Sequence, residues 1–317
     1  MNVAIKRVLS PLKPYLRWAI LGGTLFFLAK ALKDNWQEVL AIRISTSGWT
    51  CLGIAVGVTL LAHTWTGWVW HWMLREFDQQ PGLGWCIRIY LKVNIAKYLP
   101  GNVWHFYGRI WAAKTAGVPL GVATLSVLME PPMMAVGALL LALISSPLAS
   151  RIIQLPILFA VLILIHPWCL NPCLQYLAQL TGKKKSIESS DEDQIIRVKR
   201  YPILPLLGEL GFLGLRGLGF LLTLLALSPI SPSQLPLLLS GFSVAWLLGL
   251  IVPGAPGGVG VFEATAVGLL EHDFAPALVL SSVALYRLIS ILSEVGGAAL
   301  AWLNEPPSDR SSNQDQG

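Results

Sequence analysis

Apolar residues gather into long runs near 16–33, 49–74, 120–146, 152–170, 202–227, 235–252 and 275–303. Several of these runs reach the roughly 20 residues that a helix needs to cross a hydrocarbon core. Two intervening segments, 85–118 and 253–272, break the pattern with prolines, glycines and charges. Segment 171–201 is polar, carrying Lys183-Lys184-Lys185, the acids Glu188, Asp191, Glu192 and Asp193, and then Arg197, Lys199 and Arg200. It reads as a charged cytoplasmic linker between a first membrane half, 1–170, and a second, 202–303. The tail 304–317, NEPPSDRSSNQDQG, has no apolar face and reads as disordered. The pattern predicts an all-α integral membrane protein. It should have about seven transmembrane helices plus two Gly/Pro-broken re-entrant segments, arranged in two related halves.

Composition supports lipid as the solvent. Hydrophobic residues make up 54% of the chain and charged residues 13%, against about 25% charged in a soluble domain. The mean hydropathy is +0.62. The net charge of +6 comes from basic residues clustered beside apolar runs. That placement fits topology control and anionic head groups, and nucleic acid is not expected as a partner.

Charge also predicts orientation. The basic N-terminus (Lys6, Arg7, Lys13, Arg17) and segment 171–201 should be cytoplasmic, in a multi-pass protein of the plasma (inner) membrane. The uncharged loop 228–234 should be external. The N-terminal pattern resembles a signal peptide but is read as an uncleaved first helix, since many further spans follow. For both cytoplasmic assignments to hold, segment 85–118 must enter and leave on one side.

Some features carry little. Cys169 and Cys173, with His166 upstream, match no common zinc spacing, and no metal or cofactor is expected. His63, His71, His105 and His166 are scattered and read as interfacial packing. Trp65, Trp68 and Trp72 share a helical face and read as an interfacial belt.

The chemistry concentrates in the two broken segments. In the first, Arg88 and Lys92 share a helical face, Lys97 follows near the other side, and Pro100-Gly101 should end the helix before Arg109 and Lys114. In the second, Pro253-Gly254 ends a span, Pro256-Gly257-Gly258 keeps the backbone open, and Gly260 precedes a helix carrying Glu263. Non-helical backbone at membrane depth is tolerated only where protein or water satisfies it. Paired interruptions in two halves therefore point to a substrate site.

Glu130, Glu209, Arg216, Arg287 and Glu294 lie inside apolar runs. Each would cost at least about 2.5 kcal/mol facing lipid, so each should face a partner or water. Glu209 with Arg216, and Arg287 with Glu294, are one heptad apart and share a face. Glu209 pairing with Arg287 across helices is one expectation. Glycines at 208, 211, 214 and 217 should allow close helix packing.

Residues 252–300 resemble the hallmark region of the lysylphosphatidylglycerol synthase transmembrane domain family, also called the flippase-like domain. Its Pro-Gly-Gly-x-Gly-hydrophobic-x-Glu pattern falls on Pro256 to Glu263, with the later arginine at Arg287. The first half resembles it through Lys97-Tyr98-Leu99-Pro100-Gly101-Asn102-Val103-Trp104, Gly108-Arg109 and Gly117. Where some members carry Gly-Gly and an acid, this chain has Asn102-Val103-Trp104-His105; where many carry Glu-Arg, Glu130 is followed by Pro131. The resemblance covers about 90–300. It implies handling of charged lipids such as aminoacylated phosphatidylglycerol, and no soluble synthase domain is expected after the last span.

The resulting expectation is a lipid translocase or flippase-like protein that handles charged glycerophospholipids, aminoacyl phospholipids or polyprenyl lipids. The anion would meet Arg109 and Arg287, and a cationic moiety would meet Glu263 or Glu130. The chain shows no Walker loop, HExxH or GxSxG, so it is not expected to be an enzyme, and transport would be passive or ion-coupled. Alternatives are an accessory subunit for a lipid-modifying enzyme or glycosyltransferase, and a small-solute permease.

Overall fold

A computed structural model describes residues 33, 36–99, 103–144, 148–172, 198, 200–252 and 255–304. All but residue 33 of the first apolar run, nearly all of the 171–201 linker and the tail from 305 lie outside the described residues. All regular structure among the described residues is helical.

A short α1 (Trp36–Ala41) precedes α2 (Thr46–Arg75), whose first turn is capped by Ser45: its Oγ accepts the Gly48 N–H at 3.1 Å. The 30 residues of α2 span about 45 Å, more than a bilayer core requires. Helices α3 (Leu83–Asn94) and α4 (Trp104–Thr115) have 12 residues each and reach only about 18 Å, too short to cross.

The run near 120–146 forms α5 (Leu120–Leu128) and α6 (Glu130–Ala142), together a 23-residue candidate span. The discontinuity at Met129 precedes Pro131-Pro132, which lack the N–H groups to continue the ladder. Helix α7 (Leu148–Ile165) contains Pro156. Then come α8 (Ile203–Leu225), α9 (Leu235–Ile251), the 10-residue α10 (Val261–Leu270) and the 28-residue α11 (Pro276–Leu303). Five helical stretches among the described residues are long and apolar enough to cross a membrane: α2, α5–α6, α8, α9 with its leading turn, and α11. The run near 152–170 gives a shorter apolar helix.

Helices α2 and α8 form the central pair, with α6 and α11 packed on α8 and with α3 and α11 packed on α2. The two sequence halves therefore interlock. Small residues permit this. A Cβ on Gly208 would lie 2.6 Å from Val69 Cγ2, and one on Gly219 would lie 2.7 Å from Thr59 Oγ1. One on Gly217 would be similarly tight, 2.8 Å from Leu239 Cδ2, and one on Gly211 less so, 3.2 Å from Trp65 Nε1, whereas one on Gly214 meets no described atom within 4 Å. The every-third-residue reading thus holds at 208, 211 and 217 and fails at 214.

Trp65, Trp68 and Trp72 do share a face, with centroids 5.7–5.8 Å apart. Trp65 does more than sit in a belt: its indole N–H donates to the Gly208 carbonyl at 2.8 Å and ties α2 to α8. The outer surface is apolar. Ile152, Ile153, Phe159 and Ile163 on α7 and Leu288 and Leu292 on α11 are all at least half exposed. Water would not tolerate so continuous an apolar surface, and lipid does.

Candidate functional site

Both broken segments stop their helices by the same local rule. A residue before proline is driven out of the α region by the proline ring. Leu99, before Pro100, is extended (φ −69°, ψ 147°), and so is Val252, before Pro253 (φ −73°, ψ 116°). Helix α3 thus tightens into a 3₁₀ turn, Ile95–Tyr98, and stops, while α9 stops at Ile251 and leads to the 3₁₀ turn Pro256–Gly258. Pro100, Gly101, Pro253 and Gly254 themselves lie outside the described residues.

The two turns meet. Gly257, Gly258 and Gly260 have φ of +58°, +73° and +87°, the left-handed region that glycine enters without strain. A Cβ on Gly257 would come within 3.0 Å of Tyr98 Cε1, so the residue must also be small to let the turns touch.

Beside this junction lies a cavity of about 240 Å³. Among its lining residues are Lys97 from the first turn, Glu130 from α6, and Arg216 from α8. Gly257 and Gly258, with Arg287 and Glu294 from α11, complete the predicted group.

Three ion pairs organise these charges. Lys97 Nζ donates to Glu294 Oε1 at 2.6 Å, and His63 Nε2 lies 3.2 Å from the same oxygen. Arg287 reaches Glu263 Oε1 through Nε at 2.6 Å and Nη2 at 2.5 Å, and its Nη1 donates to the Gly257 carbonyl at 2.9 Å. The other Glu263 oxygen accepts the Gly260 N–H at 2.7 Å. Glu263 therefore holds the start of α10 and Arg287 together, and Arg287 holds the glycine turn.

The third pair is Arg109 with Glu130, made through both guanidinium NH₂ groups. Tyr90 O–H also donates to Glu130, at 3.0 Å. Arg109 is 1% exposed and boxed by Tyr90, Phe106 and Trp70, with its guanidinium 4.6, 5.7 and 5.8 Å from their ring centroids. It stands behind Glu130 rather than in the cavity wall. Glu263 and Gly260 likewise support the wall from one bond behind it.

Glu209 differs from its expected role. It does not pair with Arg287, whose carboxylate is Glu263. It lies fully buried on α8, outside the cavity wall, and among the described residues neither of its oxygens has a hydrogen-bond partner.

An aromatic cluster fixes the geometry. Phe220, Phe242, Phe262 and Tyr286 come from α8, α9, α10 and α11, and all six pairs have centroids 5.4–6.4 Å apart. Such pairs each add roughly 0.5–1.5 kcal/mol beyond burial. Tyr286 O–H also donates to the Arg216 carbonyl at 3.1 Å.

Several lining residues escaped the sequence reading. His63, read as interfacial packing, is 3% exposed and sits at the Lys97–Glu294 pair, and His105 also lines the cavity. Thr59, His63 and Thr66 form a buried polar stripe on α2 at helical spacing, which was the available signal. On α3 the lining face carries Tyr90 and Asn94, leading to Lys97, rather than Arg88 and Lys92. The charged residues Arg88 and Lys92 mark the other face.

Helices with apolar exteriors, two short broken segments in contact and a charged cavity beside their junction define a polytopic all-α membrane protein with an internal polar site. The chain belongs to the lysylphosphatidylglycerol synthase TM region family, whose model matches residues 15–294. The match extends the resemblance of 90–300 almost to the N-terminus. A comparison with curated proteins finds no match for the chain.

Proposed function

We propose that this protein is a lipid translocator in the cell membrane, admitting a charged head group to the cavity while the acyl chains stay in the bilayer. The observation that carries this reading is a cavity of about 240 Å³ with charges from both halves, at the contact between their broken segments, inside an apolar bundle. That volume falls just below the usual range for small-molecule sites and suits a head group rather than a whole lipid. Broken helices in paired positions are the usual place for a transporter's substrate. Family membership supports lipid as the substrate class.

The protein performs no covalent chemistry on this reading, since each carboxylate around the cavity is engaged by a cation. The N-terminus and the 171–201 segment face the cytoplasm, in keeping with their lysines and arginines. The partners are membrane phospholipids.

The test is leaflet exchange of labelled anionic and aminoacylated phospholipids in proteoliposomes. Wild type should accelerate exchange over protein-free vesicles, and Glu263→Gln and Arg287→Ala should each abolish the acceleration. Exchange no faster than in protein-free vesicles, with and without a proton gradient, would overturn the translocator reading.

A further inference from the structure

Among the described residues, the three ion pairs leave one cation of the cavity wall over. Arg216 on α8 is 7% exposed and lines the cavity, and among the described residues no carboxylate lies within ion-pair distance of its guanidinium. Its Nε is buried without an acceptor. Its Nη1 stands 3.5 Å from His63 Nε2. That nitrogen also lies 3.2 Å from Glu294 Oε1, while Asn94 Nδ2 approaches His63 Nδ1 at 3.4 Å. An imidazole that accepts at Nδ1 carries its proton on Nε2 and donates it to the glutamate. The same nitrogen then has no lone pair for Arg216.

A buried guanidinium without an anion is expensive, and arginine's planar fork matches the oxygens of a phosphate. The fork is held in place. Its central carbon sits 5.0 Å from the Tyr286 ring centroid, and Tyr286 is locked in the aromatic cluster. Lys97 and Arg287 line the same cavity with side chains still 18% and 20% exposed, so an entering anion meets positive charge at the accessible groups as well.

We propose that Arg216 is the anchor of a phosphate-binding subsite in this cavity, taking the phosphate mono- or diester of a ligand as the missing partner of its guanidinium. Arg109 and Arg287, the arginines singled out by their motifs, are committed to Glu130 and Glu263 and serve as framework. The proposal rests on the reading of the cavity as a head-group site, and it names the group bound there.

The test is calorimetric titration of the purified full chain with three probes: inorganic phosphate, dihexanoyl phosphatidylglycerol and dihexanoylglycerol, which lacks phosphate. Wild type should bind the phospholipid at least about tenfold more tightly than dihexanoylglycerol, the scale of one charge-assisted contact. Arg216→Met should remove that preference, and Arg216→Lys should retain part of it. Binding of inorganic phosphate with the same dependence on Arg216 would support the subsite and identify a free anion as sufficient; binding of the phospholipid alone would support it and identify a lipid source.

Equal wild-type affinity for the two lipids would overturn the proposal without any variant, which covers the case that Arg216→Met does not fold. So would a phosphate preference that survives in Arg216→Met. Either result leaves lipid exchange free to occur, whereas loss of exchange with phosphate binding intact would defeat the translocator reading alone.

Discussion

Lys97 Nζ lies 2.6 Å from Glu294 Oε1, joining residues 197 positions apart in sequence across the two halves of the chain. Glu294 is 2% exposed, so this contact compensates a carboxylate that the surroundings would otherwise penalise.

The pair should behave as a unit. Removing one partner of a buried pair costs about 3–5 kcal/mol, because it strands the other charge. Lys97→Met should therefore destabilise strongly, and so should Glu294→Gln, which leaves Lys97 unneutralised. The double variant should recover most of the loss. Thermal unfolding in detergent across the four proteins gives the coupling energy, and additive losses would contradict the contact.

Glu209 should behave in the opposite way. Its carboxylate is fully buried, and both oxygens lack partners among the described residues. An unsatisfied buried polar group costs about 1–3 kcal/mol, so Glu209→Leu should be neutral or stabilising by roughly that amount. A loss comparable to that of Glu294→Gln, in the same unfolding measurement, would mean that Glu209 has a partner after all.

Helix α8 offers a control for packing within six residues of sequence. A Cβ at Gly208 meets Val69 at 2.6 Å, whereas one at Gly214 meets nothing within 4 Å. Gly208→Ala should cost about 1–3 kcal/mol through overpacking. Gly214→Ala should stabilise by up to about 1 kcal/mol, through helix propensity. Denaturation midpoints of the two variants check the sign difference.

Five of the seven apolar runs were legible as spans, because hydrophobic run length is a direct consequence of bilayer thickness, whereas the run near 152–170 gives a shorter helix and nearly all of the first run lies outside the described residues. The breaks were legible too, since Pro100 and Pro253 force Leu99 and Val252 out of the helix whatever surrounds them. Partner choice was not. Glu263 and Glu209 are both acids in apolar context, and only the path of α10 and α11 decides that Glu263 meets Arg287. His63 was missed because a single histidine among aromatics looks like an interfacial residue. The buried stripe of Thr59 and Thr66 shows its significance only once α8 and α11 are packed against it.

On the proposed reading a lipid head group occupies the cavity beside the contact of the two broken segments. Photolabelling in vesicles, with a phosphatidylglycerol carrying a photoreactive group on its glycerol head, tests this without requiring transport. Mapping by mass spectrometry should place the label on cavity residues Met134, Trp246 and Phe262, and excess unlabelled phosphatidylglycerol should suppress it. Labelling confined to outward-facing residues such as Phe159 and Trp302 would contradict the account.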